Sequence, residues 1–581
     1  MTVSVLTATA RRGRARSGLW LGVGLALLLA LLVLVPLLRI LVVTVDGEGL
    51  SVWREVLTGR VARNLFWLPL RNTLLIGLLV GLGSSLVGGF LAWLVVLTDV
   101  PGRRLIGTLA SLPFVIPSFA IALAWQVFFR NQRVGGSVGL LTDLGMSVPD
   151  WLAWGFVPIV VVLITHYFAL SYLLISAGLA SVGAEMIEAA ELTGARKARI
   201  LRDVTLPVVM PSILAGGLLA FAEGVGNFAT PALLGLPVRF HTLSTRLYGM
   251  ISTGQVERGY VLSILLIVIA ASLLWAGNRY VRGRRSYATI TGKGSRTRRF
   301  ALGRWRWPLF GLASTVCLFT TVLPGVALLF SSLSQRKGSL LSGLTLHYWL
   351  GGPDPAIAQG QAGVLRNPQV LSALWTTVGL GLAVALVAVL VGLLLGYATS
   401  RLKGGWLSAV VGQLAYLPIL IPGIALGAAY IALFGQPLGP LPALYGTFAL
   451  LVIAGAAYNL PFSSQAGAAA MAQVSGELEE AARLTGARLT RRLRDVFVPL
   501  TAPGLIAGGV LVFVKMVRDL SLVVLLYTPA TPLLSVTAFR YANEGFLQFA
   551  NAITMIIATI SVVMTLLAQY LQRRSQPWAQ R

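Results

Sequence analysis

Apolar residues run along this chain in long stretches instead of recurring on one face of short helices or alternating as in strands. Twelve stretches, near residues 19–45, 70–97, 105–129, 153–182, 208–235, 260–278, 307–331, 371–398, 406–434, 441–470, 500–527 and 549–571, come near or exceed the roughly 20 residues a helix needs to cross a bilayer. Hydrocarbon offers no water to satisfy a backbone, so spanning segments must pair their own N–H and C=O groups. The pattern predicts an all-α polytopic membrane protein of about twelve transmembrane helices. The polar segments between stretches are too short for a soluble domain larger than a loop.

Composition agrees: 56% of the 581 residues are hydrophobic and 11% charged, against about 25% charged in soluble domains. The net charge of +27 would fit nucleic acid only if the basic residues gathered with aromatics on one folded face, and they lie between apolar stretches instead. Their distribution is a topology signal. With a cytoplasmic N-terminus, the inside segments carry 30 Lys and Arg and the outside segments 13, counting Arg71 at a span edge, so both termini are expected inside. The first stretch follows Arg11, Arg12, Arg14 and Arg16. It is too long for a signal-peptide core and lacks a small-residue cleavage site, so it reads as a retained helix. The one cysteine, Cys317, lies in an apolar stretch and builds neither a disulfide framework nor a thiolate site. His166, beside Tyr167, either marks an intramembrane pathway or is hydrogen-bonded between helices. His241 and His347 have no Cys or carboxylate at ligand spacing, and no metal or cofactor site is assigned.

The chain contains an internal duplication. Glu185–Phe221 matches Glu477–Phe513 without gaps at an offset of 292, with 21 of 37 positions identical. Upstream, Leu112-Pro-Phe-Val-Ile-Pro117 echoes Leu417-Pro-Ile-Leu-Ile-Pro422 at an offset of 305. Both copies of the longer element fall on the cytoplasmic side, so the chain reads as two parallel six-helix repeats. Residues 1–278 form the first unit, with loop 183–207, and 307–581 the second, with loop 475–499. Between them, 279–306 carries ten basic and no acidic residues, as a flexible linker or an anchor on anionic lipid. Each loop predicts a short amphipathic helix, a turn at Gly194 or Gly486, and a second helical piece ended before Pro207 or Pro499. One such helix suits the bilayer surface. Two near-identical copies about a pseudo-two-fold axis favour docking of a symmetric partner.

Glu188-Ala189-Ala190-x-x-x-Gly194 followed by Leu206-Pro207, and Glu480-Ala481-Ala482-x-x-x-Gly486 followed by Val498-Pro499, resemble the EAA loop of binding-protein-dependent ABC importer permeases. The resemblance covers essentially the whole chain. It implies coupling helices seated in a cytoplasmic ABC ATPase, a homodimer given the shared loop residues, and a solute delivered by an extracytoplasmic binding protein at a bacterial cytoplasmic membrane. Fusion of two units in one chain is similar to ferric-iron and thiamine importers and some aminophosphonate importers. Glu223-Gly-Val-Gly-Asn227-Phe228-Ala229-Thr230 and Lys515-Met-Val-Arg518-Asp519-Leu520-Ser521 resemble segments of the ferric-iron group, with Asn227 for its usual Asp and Arg518-Asp519 altering its usual Lys-Glu. Ferric iron is thus the expected solute, with thiamine, aminophosphonate or polyamine as alternatives. The linker segment Tyr287 to Gly294 also looks like the join between halves in that group. It lacks the first glycine and the Ser or Thr of a phosphate-binding loop, which places ATP hydrolysis on another chain. The rival is a twelve-helix secondary transporter, also built from two parallel halves. Asp99-x-x-Gly102-Arg103-Arg104 resembles part of the major-facilitator signature, but Arg401-Leu-Lys403-Gly404 lacks it, and that class does not explain the duplicated loop.

Charges inside two spans complete the candidate site. Glu223 lies about 12 residues, or roughly 18 Å of helix, beyond Pro211, and the offset of 292 matches it to Lys515 and Asn227 to Asp519. A charge at that depth costs at least about 2.5–3.5 kcal/mol facing lipid. Glu223, Asn227, Lys515, Arg518 and Asp519 are therefore expected to line the pathway. Glu223 and Lys515 either approach each other across the axis or are each satisfied within their own half.

Overall fold

The computed structural model describes residues 19–46, 49–182, 184–282, 299–336, 339–355, 357–401, 405–437, 439–440 and 442–575. The N-terminal arginines and residues 283–298 of the linker lie outside them. Among the described residues, nine helices are long and apolar enough to cross a membrane: spans 1 (Leu19–Val45), 2 (Arg63–Leu97), 4 (Asp150–Ala180), 5 (Leu201–Gly226), 6 (Val256–Gly277), 7 (Gly303–Leu333), 8 (Pro368–Arg401), 11 (Leu489–Val517) and 12 (Leu547–Tyr570). Spans 3 (Arg103–Phe114 and Ser118–Phe129) and 9 (Trp406–Leu420 and Gly423–Phe434) are pairs bent by 99° and 109°. Span 10 comes in two pieces, Phe448–Tyr458 and Leu460–Ala472. Strand among the described residues is confined to one antiparallel hairpin, Ser334–Arg336 with Ser339–Leu344. The chain is an all-α polytopic membrane protein.

Four expected spans are corrected by their own breakers. The two Leu-Pro-x-x-Ile-Pro stretches bend spans 3 and 9, because the residue before a proline is pushed out of the helical region. Ile421 is extended (φ −108°, ψ 115°), and Pro117 and Pro422 open the next helical piece. Spans 5 and 11 end at Gly226 and Val517 instead of running to 235 and 527, and separate short helices, Ala229–Leu234 and Val523–Leu526, follow.

Proline also sets a recurring feature within the spans. Wide π-helical turns at Ala30–Leu34, Arg63–Trp67, Leu201–Thr205, Leu318–Val322 and Leu493–Phe497 each end two residues before a proline: Pro36, Pro69, Pro207, Pro324 and Pro499. Proline has no N–H to give and its ring presses on the carbonyl four residues earlier; widening the preceding turn makes room. The helical pieces expected to stop before Pro207 and Pro499 therefore run through these prolines into spans 5 and 11. Pro36 cannot donate to the Leu32 carbonyl, and Tyr430 Oη donates to it at 2.8 Å.

Packing divides the chain into two units, residues 53–371 with 535–558 and residues 1–52 with 372–534 and 559–581. This differs from the division of the repeats: span 7 packs with first-repeat spans, and span 1 with second-repeat spans. In the unit holding span 7, Ala313 and Cys317 are buried with Leu91, Leu94 and Ile106, and Thr321 Oγ1 donates to the Leu109 carbonyl at 3.1 Å. The segment entering span 7 is tied to the end of span 2, Phe300 N donating to Leu97 O at 2.7 Å and Leu302 N to Asp99 Oδ1 at 2.9 Å. In the other unit, Leu21 of span 1 packs on Leu393, Tyr397, Met471 and Phe497. Small residues bring helices together in both units, as is usual where lipid supplies no hydrophobic drive between helices. A Cβ on Gly88 would stand 2.7 Å from Phe168 O, and one on Gly396 2.4 Å from Gly467 O.

Candidate functional site

The backbones of the two copies of the duplicated loop fold alike. Helices Ala184–Leu192 and Gly476–Leu484 are followed by second pieces Lys197–Ile200 and Leu489–Arg492. At the first turn, Gly194 N donates to Glu191 O at 2.9 Å and Ala195 N to Ala190 O at 3.2 Å. In the second copy Gly486 N donates to Arg483 O at 3.0 Å and Ala487 N to Ala482 O at 3.2 Å. This is the Schellman ending of a helix, which needs a left-handed residue just past its end. Gly194 (φ 77°) and Gly486 (φ 79°) supply it, which is the physical reason for glycine four residues after the second alanine. Glu188 and Ala189, like Glu480 and Ala481, are exposed, while Ala190 and Ala482 are half-buried. Leu192 and Leu484 are the most exposed large apolar side chains among the described residues. Each loop thus presents a charged and apolar ridge on a stiffly capped helix, a shape suited to a protein groove.

What holds the second loop was not foreseen from the sequence. Glu479, one residue before the Glu-Ala-Ala run, is buried at 5% side-chain exposure. Its Oε1 accepts hydrogen bonds from Tyr397 Oη at 2.9 Å, Arg483 Nη2 at 2.6 Å and Arg492 Nη1 at 3.0 Å, and Arg401 Nε lies 3.8 Å from Oε2. Burial lowers the Arg483 pKa, but hydrogen bonding to Glu479 and the charge of Glu479 outweigh it and raise it above the ordinary value. The alignment did carry a signal. Subtracting 292 from Glu479 and Arg492 gives Ile187 and Ile200, two apolar positions replaced together by opposite charges.

The five intramembrane candidates divide between the packing units, Glu223 and Asn227 in one and Lys515, Arg518 and Asp519 in the other. Asn227 is buried where span 5 breaks. Its Nδ2 donates to Tyr167 Oη at 3.0 Å and Ser118 Oγ at 3.1 Å, and its Oδ1 accepts from Thr230 N at 3.0 Å. Asp519 repeats the last bond, its Oδ1 accepting from Leu522 N at 2.8 Å, so each ties down the backbone N–H three residues on at the break after its span. Glu223 is half-buried in the last turn of span 5. The Lys515 ammonium lies over the rings of Phe462 and Tyr458, 4.0 and 4.4 Å from their centroids, a favourable setting for a cation away from water.

The pattern of the family described as binding-protein-dependent transport system inner membrane component matches twice, over residues 84–284 and 388–577. The chain belongs to this family. Each matched stretch contains one copy of the loop and one such break, so the permease carries the family's unit twice. It is a multi-pass membrane component of ABC transport. It is 27% identical over 485 residues to the probable ABC transporter permease protein y4fN of Sinorhizobium fredii, covering 81% of each chain. It is 26% identical to the putative ferric transport system permease protein FbpB 1 of Haemophilus influenzae, over 79% of this chain and 70% of that one. A third relative, the putative 2-aminoethylphosphonate transport system permease protein PhnV of Salmonella typhi, is 27% identical over 45% of this chain and 94% of its own.

Proposed function

We propose that this permease is the membrane subunit of an importer driven by a separate cytoplasmic ATPase, which docks on helices Ala184–Leu192 and Gly476–Leu484. The observation that carries the reading is the duplicated loop: two helices with the same Schellman ending and the same exposed Glu, Ala and Leu. Because those exposed residues are shared, the ATPase is a homodimer. Nucleotide binding draws the two loops together and opens the pathway outward; hydrolysis returns it inward. A binding protein delivers the solute on the opposite side of a bacterial inner membrane, and both termini face the cytoplasm, as the excess of Lys and Arg there supports.

Ferric iron is the favoured solute, because the ferric permease FbpB 1 is similar across both halves, whereas the aminophosphonate relative covers 45% of this chain. Thiamine, aminophosphonate and polyamine remain alternatives. Glu223, Asn227, Lys515, Arg518 and Asp519 line the pathway, each placed at or near the end of span 5 or 11.

Reconstitution with the partner ATPase and binding protein tests the reading. Glu188→Lys with Glu480→Lys should abolish ATPase retention and uptake while membrane insertion stays normal. The chain alone should neither hydrolyse ATP nor accumulate solute. Uptake driven by a proton or sodium gradient without added subunits would establish the secondary-transporter alternative.

A further inference from the structure

Three segments of one packing unit meet at the Glu479 carboxylate. Tyr397 and Arg401 come from the end of span 8, Arg483 from the loop helix itself, and Arg492 from the start of span 11. Arg401 extends the connection to the end of span 10, its Nη2 donating to the carbonyls of Met471, at 3.4 Å, and Val474. Its guanidinium also lies over the ring of Phe497 in span 11, with the Tyr397 ring edge-on to the same residue. The carboxylate and Arg492 are both at most one-tenth exposed.

A buried ion pair is weak evidence for stability, since well-packed apolar residues often serve as well. The chain has apolar residues at the positions that match these two. Ile200 of the first loop is buried among Tyr172, Val182 and Val209, and Ile187 and Ile200 stand where the second loop has Glu479 and Arg492. Charged hydrogen bonds fix direction as well as distance. They make the second loop helix and the ends of spans 8, 10 and 11 one rigid body.

We propose that Glu479 is a positioning residue for energy coupling, fixing the second loop helix to spans 8, 10 and 11 so that displacement of the helix moves all three together. This rests on the reading that the loop docks an ATPase. Partial neutralisation should therefore separate hydrolysis from transport while docking persists.

The test uses the full chain with its ATPase and binding protein in proteoliposomes, measuring ATPase retention, ATP hydrolysis and solute uptake. In Glu479→Gln, retention should match wild type, and uptake per ATP should fall at least about fivefold, the lower end of ordinary coupling between sites. Glu479→Ile with Arg492→Ile installs the residues of the first loop, leaves Arg401 its carbonyl and aromatic partners, and should recover at least half the wild-type ratio. A wild-type ratio in Glu479→Gln overturns the proposal, as does uptake that falls only in proportion to the amount of chain in the membrane. Loss of ATPase retention in Glu479→Gln alone also overturns it, making Glu479 part of the docking face. Failure of the double variant to recover, at normal abundance, overturns the equivalence of the two links on which the proposal is built. If Glu479→Gln does not accumulate, Tyr397→Phe, which removes one hydrogen bond from the cluster, decides by the same ratio. A wild-type chain that retains no ATPase refutes the docking reading, an outcome separate from all of these.

Discussion

Leu192 and Leu484 end two equivalent helices 292 residues apart and are 89% and 87% exposed, although neither lies in an apolar span. A fully buried leucine contributes about 1.5–3 kcal/mol, which a partner covering both would supply to the docked complex. Leu484→Ala or Leu192→Ala should weaken ATPase binding by roughly 1–2 kcal/mol, about five- to thirtyfold. Chain stability should shift by less than about 0.5 kcal/mol, as for other exposed sites. Titrating the ATPase onto the chain in nanodiscs reads the affinity, and an unchanged value in both variants would exclude the leucines from the contact.

The Pro36 and Tyr430 pair lends itself to a double-mutant cycle. Tyr430→Phe removes the donor to the Leu32 carbonyl and should cost about 0.5–1.5 kcal/mol in the wild-type background. In Pro36→Ala, residue 36 regains an N–H for that carbonyl, and the same substitution should cost less than about 0.5 kcal/mol. Reversible unfolding in mixed micelles gives the four stabilities. Equal costs in the two backgrounds would mean that proline did not create the vacancy Tyr430 fills.

Asn227 makes three side-chain hydrogen bonds at the break after span 5. Replacement by Ala orphans the Thr230 N–H and should destabilise the chain by about 1–3 kcal/mol. Tyr167→Phe should cost less, and nothing further once Asn227 is Ala. Thermal unfolding of the two single variants and the double variant checks this, and additive losses would show that Tyr167 acts through other neighbours.

Burial, together with the charge of Arg246, lowers the His241 imidazole from 6.5 to about 4. The folded chain holds this group neutral at pH values where the unfolded chain protonates it. Its contribution to stability is therefore complete above pH 6.5 and is lost as pH falls towards 4. Melting temperature should drop across that window, and His241→Gln should flatten the drop. An undiminished slope in the variant would assign the acid sensitivity to other groups.

The pathway candidates show how far sequence reading reached. The offset of 292 matched Asn227 to Asp519, and the structure gives both the same bond to the backbone N–H three residues on. Their place at helix ends is not legible in the sequence, where both spans read as continuous apolar runs; the break is held by a side chain bonded to the backbone three residues on, which composition does not reveal.

The sequence by itself determined the fold class, the duplication and the two loops. Each is a local property: an apolar run long enough to cross lipid, a repeated string of residues, a glycine four positions after an alanine. Prolines spaced along the chain likewise set the bends and widened turns. Which helix packs on which was decided by tertiary structure. Span 1 packs with second-repeat spans and span 7 with first-repeat spans, and apolar surfaces alone carry no address for such a choice, since lipid is as apolar as a neighbouring helix. The Glu479 cluster is tertiary for the same reason. Its partners stand 82, 78, 4 and 13 residues away, at Tyr397, Arg401, Arg483 and Arg492, and only the folded chain brings three arginines and a tyrosine to one buried carboxylate.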